Sequence, residues 1–197
     1  MKIRLFCTAG ALLLAFASSG MNGCPNTMTP DGGTPPGMMS AAEMQLATDA
    51  LAAINAHRTG KGLAALTWYQ PAEPVAFDHC VAMETGNFFA HIDPNTNTDP
   101  ATRAMNAGIT HDPQGSIDPH SGNPFVGENL FTSTDPNQTA QGAVDAWVGS
   151  PGHHTQIDAP LPVTGAQTMP PWTHCTIGVR QGASQNWWTA MFFRNPN

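Results

Sequence analysis

Apolar residues recur at helical spacing in "SAAEMQLATDALAAINAHRTGKG", where Met44, Ala47, Leu51 and Ile54 share one face. Ser40 followed by Glu43 forms a capping box at its start, and Gly60 supplies a stop. This pattern predicts an amphipathic helix as the first element of the folded part. A second helix is predicted to begin near Pro74 and end at Gly86, with Val75, Cys80 and Met83 facing inward. In "DPATRAMNAG", Asp99 can cap a short third helix, Pro100 suits its first turn and Gly108 ends it. The stretch "DPNQTAQGAVDAWVGSPG" repeats this grammar. Asp135 and Gln138 predict a cap, and Ala140, Val144, Trp147 and Val148 a buried stripe. Ser150-Pro151-Gly152 is the expected stop.

Near the C-terminus the period changes. "CTIGVRQGA" and "NWWTAMFF" are rich in β-branched and aromatic residues, separated by a polar turn near Ser184, and predict an antiparallel hairpin. Helices around a small, mostly antiparallel sheet define an α+β or layered α-β-α domain. Period-two alternation sends Trp187 and Trp188 to opposite faces of that sheet, so at least one belongs to the core. Together with Trp172 they are also candidates for a carbohydrate or lipid platform.

The chain is 197 residues long, enough for one well-buried domain. Residues 1–23 read as a lipoprotein-type signal peptide, because Lys2 and Arg4 precede a short apolar run that ends in small residues. Cys24 follows that run and is the expected lipidation site, which would make the protein exported and either lipid-anchored in the cell envelope or secreted. Residues 24–39, rich in Pro and Gly, read as a flexible tether, and 40–197 as the folded domain. Seven basic residues, two of them in the leader, stand against 14 acidic ones. That balance argues against nucleic acid as a partner, since phosphate neutralisation needs clustered Lys and Arg. The acidic balance favours solubility and repels anionic membranes, so a membrane is expected to be reached only through the anchor.

Cys80 and Cys175 are the cysteines left in the folded part, and an oxidising compartment favours one disulfide between them. Several standard sites are absent from the sequence: there is no G-x-S-x-G elbow, no H-E-x-x-H, no phosphate-cradling glycine loop and no C-x-x-C. Three polar residues sit in rigidly framed segments. His91 follows "GNFFA", Glu128 lies in the apolar "FVGENLF", and His153 follows a broken helix. A carboxylate in such a setting is either paired or raised in pKa, and both are conditions for acid/base work. "HIDPNTNTDP" spaces oxygen donors like a calcium loop. Thr98 and Ala104 occupy the positions where that loop needs Gly and Glu, and turns and helix caps explain the pattern more simply. His111 and His120 lie in a long loop that reads as an exposed turn or as a roof over a pocket where His91, Glu128 and His153 could converge.

The order "INAHRTGKGLAALTW", "NFFAH", "TRAMNAGI", "VGENL", "AVDAWVGSPGHHTQI" and "TIGVRQGASQNWWTAMFF" resembles the CAP superfamily of cysteine-rich secretory proteins, antigen 5 and pathogenesis-related 1 proteins, in particular its bacterial secreted branch. The resemblance covers residues 40–197. It implies a three-layer α-β-α sandwich with a central cleft, lined by two histidines and two glutamates that in some members hold a divalent metal such as zinc. On this sequence the histidines fall on His91 and His153 and one glutamate on Glu128, while the other glutamate position holds Ser150. His154, next to the second histidine, is expected to face outward. One carboxylate short, the cleft is compatible with a zinc site at His91 and His153 and with a ligand-binding role, for which the resemblance implies a monomer that meets a small hydrophobic molecule, a peptide or a cell-envelope component. Metal-assisted hydrolysis by His91, Glu128 and His153 is the alternative, and the sequence leaves open whether the protein is an enzyme.

Overall fold

The structure, a computed structural model, describes residues 37–109, 126–158, 171–194 and 196. The expected leader, Cys24, His111 and His120 lie outside the described residues. No described helix is long and apolar enough to cross a membrane.

Helix α1 spans Ala41–Gly60. Ser40 Oγ accepts from the Glu43 backbone and Glu43 Oε2 accepts from the Ser40 backbone at 2.8 Å, so the predicted capping box forms. Gly60 is still helical, and the chain turns at Lys61 and at Gly62, whose φ of +76° suits glycine. Met39, placed in the tether by composition, is part of the core, and its sulfur receives the Val179 backbone N–H. Strand β1 is the short Thr67–Trp68. Helix α2, Glu73–Gly86, ends in a left-handed Asn87, and α3, Pro100–Asn106, is capped by Asp99 as predicted. Strand β2 covers Val126–Ser133.

Helix α4, Ala140–Gly149, starts later than an Asp135 cap would have it, because Thr139 is the cap and Asp135 instead closes a turn onto Asn137. Ser150 ends α4, yet the chain does not leave the helical layer: α5, Pro151–Asp158, follows at once. Proline suits the first turn of a helix, so the same "SPG" that stops one helix begins another. Strands β3, His174–Gln181, and β4, Asn186–Phe193, form the predicted hairpin.

The sheet order is β1-β3-β4-β2, antiparallel except for the β1–β3 pair, and β2 is an edge strand. Alternation divides the side chains between two faces. Cys175, Ile177, Val179, Trp188, Ala190 and Phe192 pack beneath α1, α4 and α5. Val126, Met191 and Phe193 pack beneath α2 and α3. These are the three layers of an α-β-α sandwich. Two indole N–H groups fasten the layers: Trp147 donates to Leu130 O at 3.0 Å and Trp172 to Gln156 O at 2.8 Å.

The expected Cys80–Cys175 disulfide does not form; both are buried free thiols. Cys80, on α2, donates to Gly178 O and Thr189 Oγ1 on one face of the sheet. Cys175 points to the other, among the α1-side core residues, so the sheet itself lies between the two sulfurs. The tryptophan platform is also corrected. Trp172, Trp187 and Trp188 are all buried, and Arg194 covers the Trp172 ring at 3.6 Å from its centroid.

Candidate functional site

Glu128 sits on edge strand β2 opposite Met191, with its side chain 1% exposed. Its Oε1 lies 2.9 Å from Nδ1 of His91, and its Oε2 accepts from Nη2 of Arg103. Burial alone would raise this carboxyl, but the Arg103 charge and the His91 hydrogen bond outweigh it and hold the group below its ordinary value. Both oxygens of the sequence-predicted acid are therefore committed to partners within the protein.

The loop that carries His91 is built by local rules. Asn87 in the left-handed region turns the chain out of α2. The ring of His79, buried on α2, donates from Nε2 to Ala90 O at 3.0 Å, and burial keeps that imidazole's pKa low. Arg103 Nη1 donates to His91 O at 2.8 Å and to Thr98 O at 3.0 Å. One guanidinium thus fixes both the histidine's backbone and the carboxylate that receives its ring. In the calcium-like stretch, Asp93 Oδ1 accepts from the Asn95 and Thr96 backbone and Asp99 caps α3, so the turn reading accounts for these residues.

His153 reaches the same edge strand from the other side. It is half-buried in the first turn of α5, and its carbonyl accepts from Nδ2 of Asn129, the residue after Glu128, at 3.0 Å. Gly127 permits this approach, since a Cβ there would fall 2.5 Å from Gln156 Oε1 and 2.7 Å from the Trp172 ring. The three residues of "GEN" divide the work among them. Gly127 admits α5, Glu128 binds the α2–α3 side and Asn129 binds the α5 side. Ser150 is the junction between α4 and α5, and its carbonyl accepts from His154 N at 2.8 Å. Phe89 and Ile92, each 51% exposed, flank His91 with apolar surface. A groove between α2 and α3 is lined by Val75, His79, Asp93 and Arg103 among others.

Sequence reasoning missed Arg103. Its signal was scarcity: in a chain with seven Lys and Arg, an arginine inside a short apolar helix needs a partner. It also missed a second polar cluster. His154, expected to face outward, meets His57 of α1, with ring centroids 5.3 Å apart, and both contact Asp158 at 2.8 Å. The ligand atoms of His57, His154 and Asp158 lie within 4.8 Å of one another, so this group has the donors to hold a metal ion.

The three-layer arrangement places the protein among α+β sandwich domains. The chain belongs to the CAP family, described as the cysteine-rich secretory protein family, whose pattern matches residues 51–174. No curated protein matches the sequence significantly. Among solved structures, it is similar to an extracellular protein containing a SCP domain from Bacillus anthracis, at 21% identity and a TM-score of 0.56. That likeness covers 85% of this chain and 44% of the Bacillus chain, so this chain spans less than half of that relative's length. An outer surface protein from Borrelia burgdorferi is similar at 14% identity and a TM-score of 0.57, over 80% of this chain and 96% of the other.

Proposed function

We propose that this protein is an exported, envelope-tethered CAP domain whose cleft at His91, Glu128 and His153 binds a small hydrophobic molecule, a peptide or a cell-wall fragment. One observation carries the reading: the Glu128 carboxylate is paired with the Arg103 charge, hydrogen-bonded to His91 and held ionised below its ordinary pKa. A general base needs a carboxylate that is open to substrate and a pKa near the working pH. Glu128 has neither, and Ser150 stands where the family's second carboxylate would be. The exposed Phe89 and Ile92 beside His91 suit an apolar ligand. Export is supported by the leader-like start of the sequence and by the extracellular and outer surface descriptions of the two similar structures. Loss of membrane fractionation in Cys24→Ser is the expected sign of lipidation, and unchanged fractionation refutes it.

Organic extraction of folded protein purified from its native envelope is expected to recover a ligand in stoichiometric amount. Protein that is consistently empty, and that takes up no lipid, peptide or wall fragment offered to it, refutes the binding reading.

Metal-assisted hydrolysis is the second reading, and the ring of His91 is what favours it. With Nδ1 donating to Glu128, the lone pair of the neutral imidazole sits on Nε2, the arrangement a carboxylate imposes on metal-binding histidines. His91 and His153 would hold the ion, which would supply Lewis acidity. Structural and catalytic zinc sites ordinarily take three or more protein ligands, and here Glu128 is already engaged. Any hydrolysis by this cleft must disappear in Glu128→Gln.

A further inference from the structure

Two pairs spaced by four residues face each other across the junction of α1 and α5. His57 and Lys61 project from the end of α1, and His154 and Asp158 from α5. Spacing of i and i+4 puts each pair on one helix face. Asp158 accepts from His57 Nε2 at 2.8 Å through one oxygen and from Lys61 Nζ at 2.5 Å through the other. Lys61 Nζ also lies 2.7 Å from His154 Nε2. An ammonium has only donors, so that contact requires the His154 lone pair to point at it. His154 Nε2 and Asp158 Oδ2, 2.8 Å apart, are therefore two electron-pair donors turned toward one cation.

We propose that His57, His154 and Asp158 form a binding site for a divalent transition metal of the zinc class, and that the Lys61 ammonium is a stand-in cation which a metal displaces. Two imidazoles and one carboxylate are the donor set of zinc chemistry, whereas calcium and magnesium prefer oxygen alone. The three donors lie within 4.8 Å of one another and are each partly exposed, at 19%, 33% and 28% of their side chains. A surface hollow lined by Gly149, Pro151, His154 and Asp158 gives an ion access from solvent. Lys61 is 43% exposed, so its side chain can swing into water as the metal enters. The site is distinct from the His91, Glu128 and His153 cleft, and it would tie α5, the helix that carries His153, to α1.

The decisive experiment is a Zn2+ titration of the purified full chain against a chromophoric chelator, with Ca2+ and Mg2+ as parallel arms. One zinc ion should bind, with neither Ca2+ nor Mg2+ competing. His154→Ala and Asp158→Asn should each weaken binding about tenfold or more. Lys61→Ala should strengthen it, because the competing cation is gone. The double variant His91→Ala/His153→Ala should leave it unchanged. Zinc should also raise the thermal midpoint of the wild type and not of Asp158→Asn. Folding of these variants is protected by a separate link, Arg58 Nη1 to Ile157 O, and is checked by circular dichroism. Failure to bind zinc overturns the proposal, as does binding indifferent to His154→Ala and Asp158→Asn. Zinc lost only in the His91→Ala/His153→Ala double variant overturns it too, and moves the metal to the cleft without touching the ligand-binding reading.

Discussion

Arg103 of α3 and Glu128 of β2 form an ion pair in which the carboxylate is almost wholly removed from water and the guanidinium nearly so. Arg103 carries a further load, because its other terminal nitrogen holds His91 O and Thr98 O. Removing one member of a buried pair leaves the other charged and unpartnered, a loss of about 3–5 kcal/mol. Arg103→Ala should therefore destabilise the fold by about that much in urea denaturation. Glu128→Gln, which keeps a polar side chain of the same shape, should cost less. A negligible loss in Glu128→Gln would show that the pair's charge is not what matters.

Acid stability should fall in two stages. His79 and Glu128 both have folded-state pKa values below their ordinary ones, 6.5 and 4.5. In each case the unfolded chain binds the proton more readily, so the stability is fully present above the ordinary value and lost as pH falls through the folded one. The first loss is expected below about pH 6.5 as unfolded His79 charges, and the second below about pH 4.5 from Glu128. Equilibrium unfolding across pH should show the second stage reduced in Glu128→Gln, with a remainder from Asp93 and Asp158, whose carboxyls are also held below their ordinary value, and the first reduced in His79→Gln.

Gly178 of β3 touches the backbone of α2: a Cβ there would collide with Ala76 C and Phe77 N. Backbone atoms cannot rotate away, so Gly178→Ala must push helix from sheet. A loss of about 1–3 kcal/mol is expected, typical of overpacking. Gly149→Ala, with nothing within 4 Å of the new methyl, should be neutral or stabilise by up to about 1 kcal/mol. Thermal unfolding of the two variants side by side provides the measurement.

The cysteines should behave as two inert thiols. Burial pushes Cys80 up to about 12 and raises Cys175 as well. Peptides containing Cys80 and Cys175 should be alkylated by iodoacetamide after denaturation without reductant, and resist it in the native protein. Recovery of a Cys80–Cys175 cross-linked peptide would contradict the placement of the two on opposite faces of the sheet.

Much of the fold was legible in the sequence because its signals are local. The Ser40–Glu43 capping box, the Asp99 cap followed by Pro100 and the β-rich C-terminal hairpin each depend on residues a few positions apart. Glu128 also stood out, because an acid amid apolar neighbours is either paired or raised in pKa, and the structure pairs it with Arg103 and His91. What failed was whatever depended on distance in the chain. The cap of α4 is an exception, a local contact that was misread: Asp135 had a cap's composition, but its carboxylate closes a turn onto Asn137 and Thr139 receives Gly142 N. Cys80 and Cys175 satisfied the arithmetic of a disulfide, and only the intervening sheet kept them apart.

Period, caps and motif spacing are short-range properties, and they were enough to specify helices α1 to α4, the hairpin and the three-layer class, and to single out polar residues such as Glu128 and His91. The partners of those residues came from packing. Arg103 became the counter-ion of Glu128 because α3 packs on edge strand β2, and His154 met His57 because α5 begins at Pro151 and lies against α1. Those pairings are set by how layers stack, which no pattern within a single element can express.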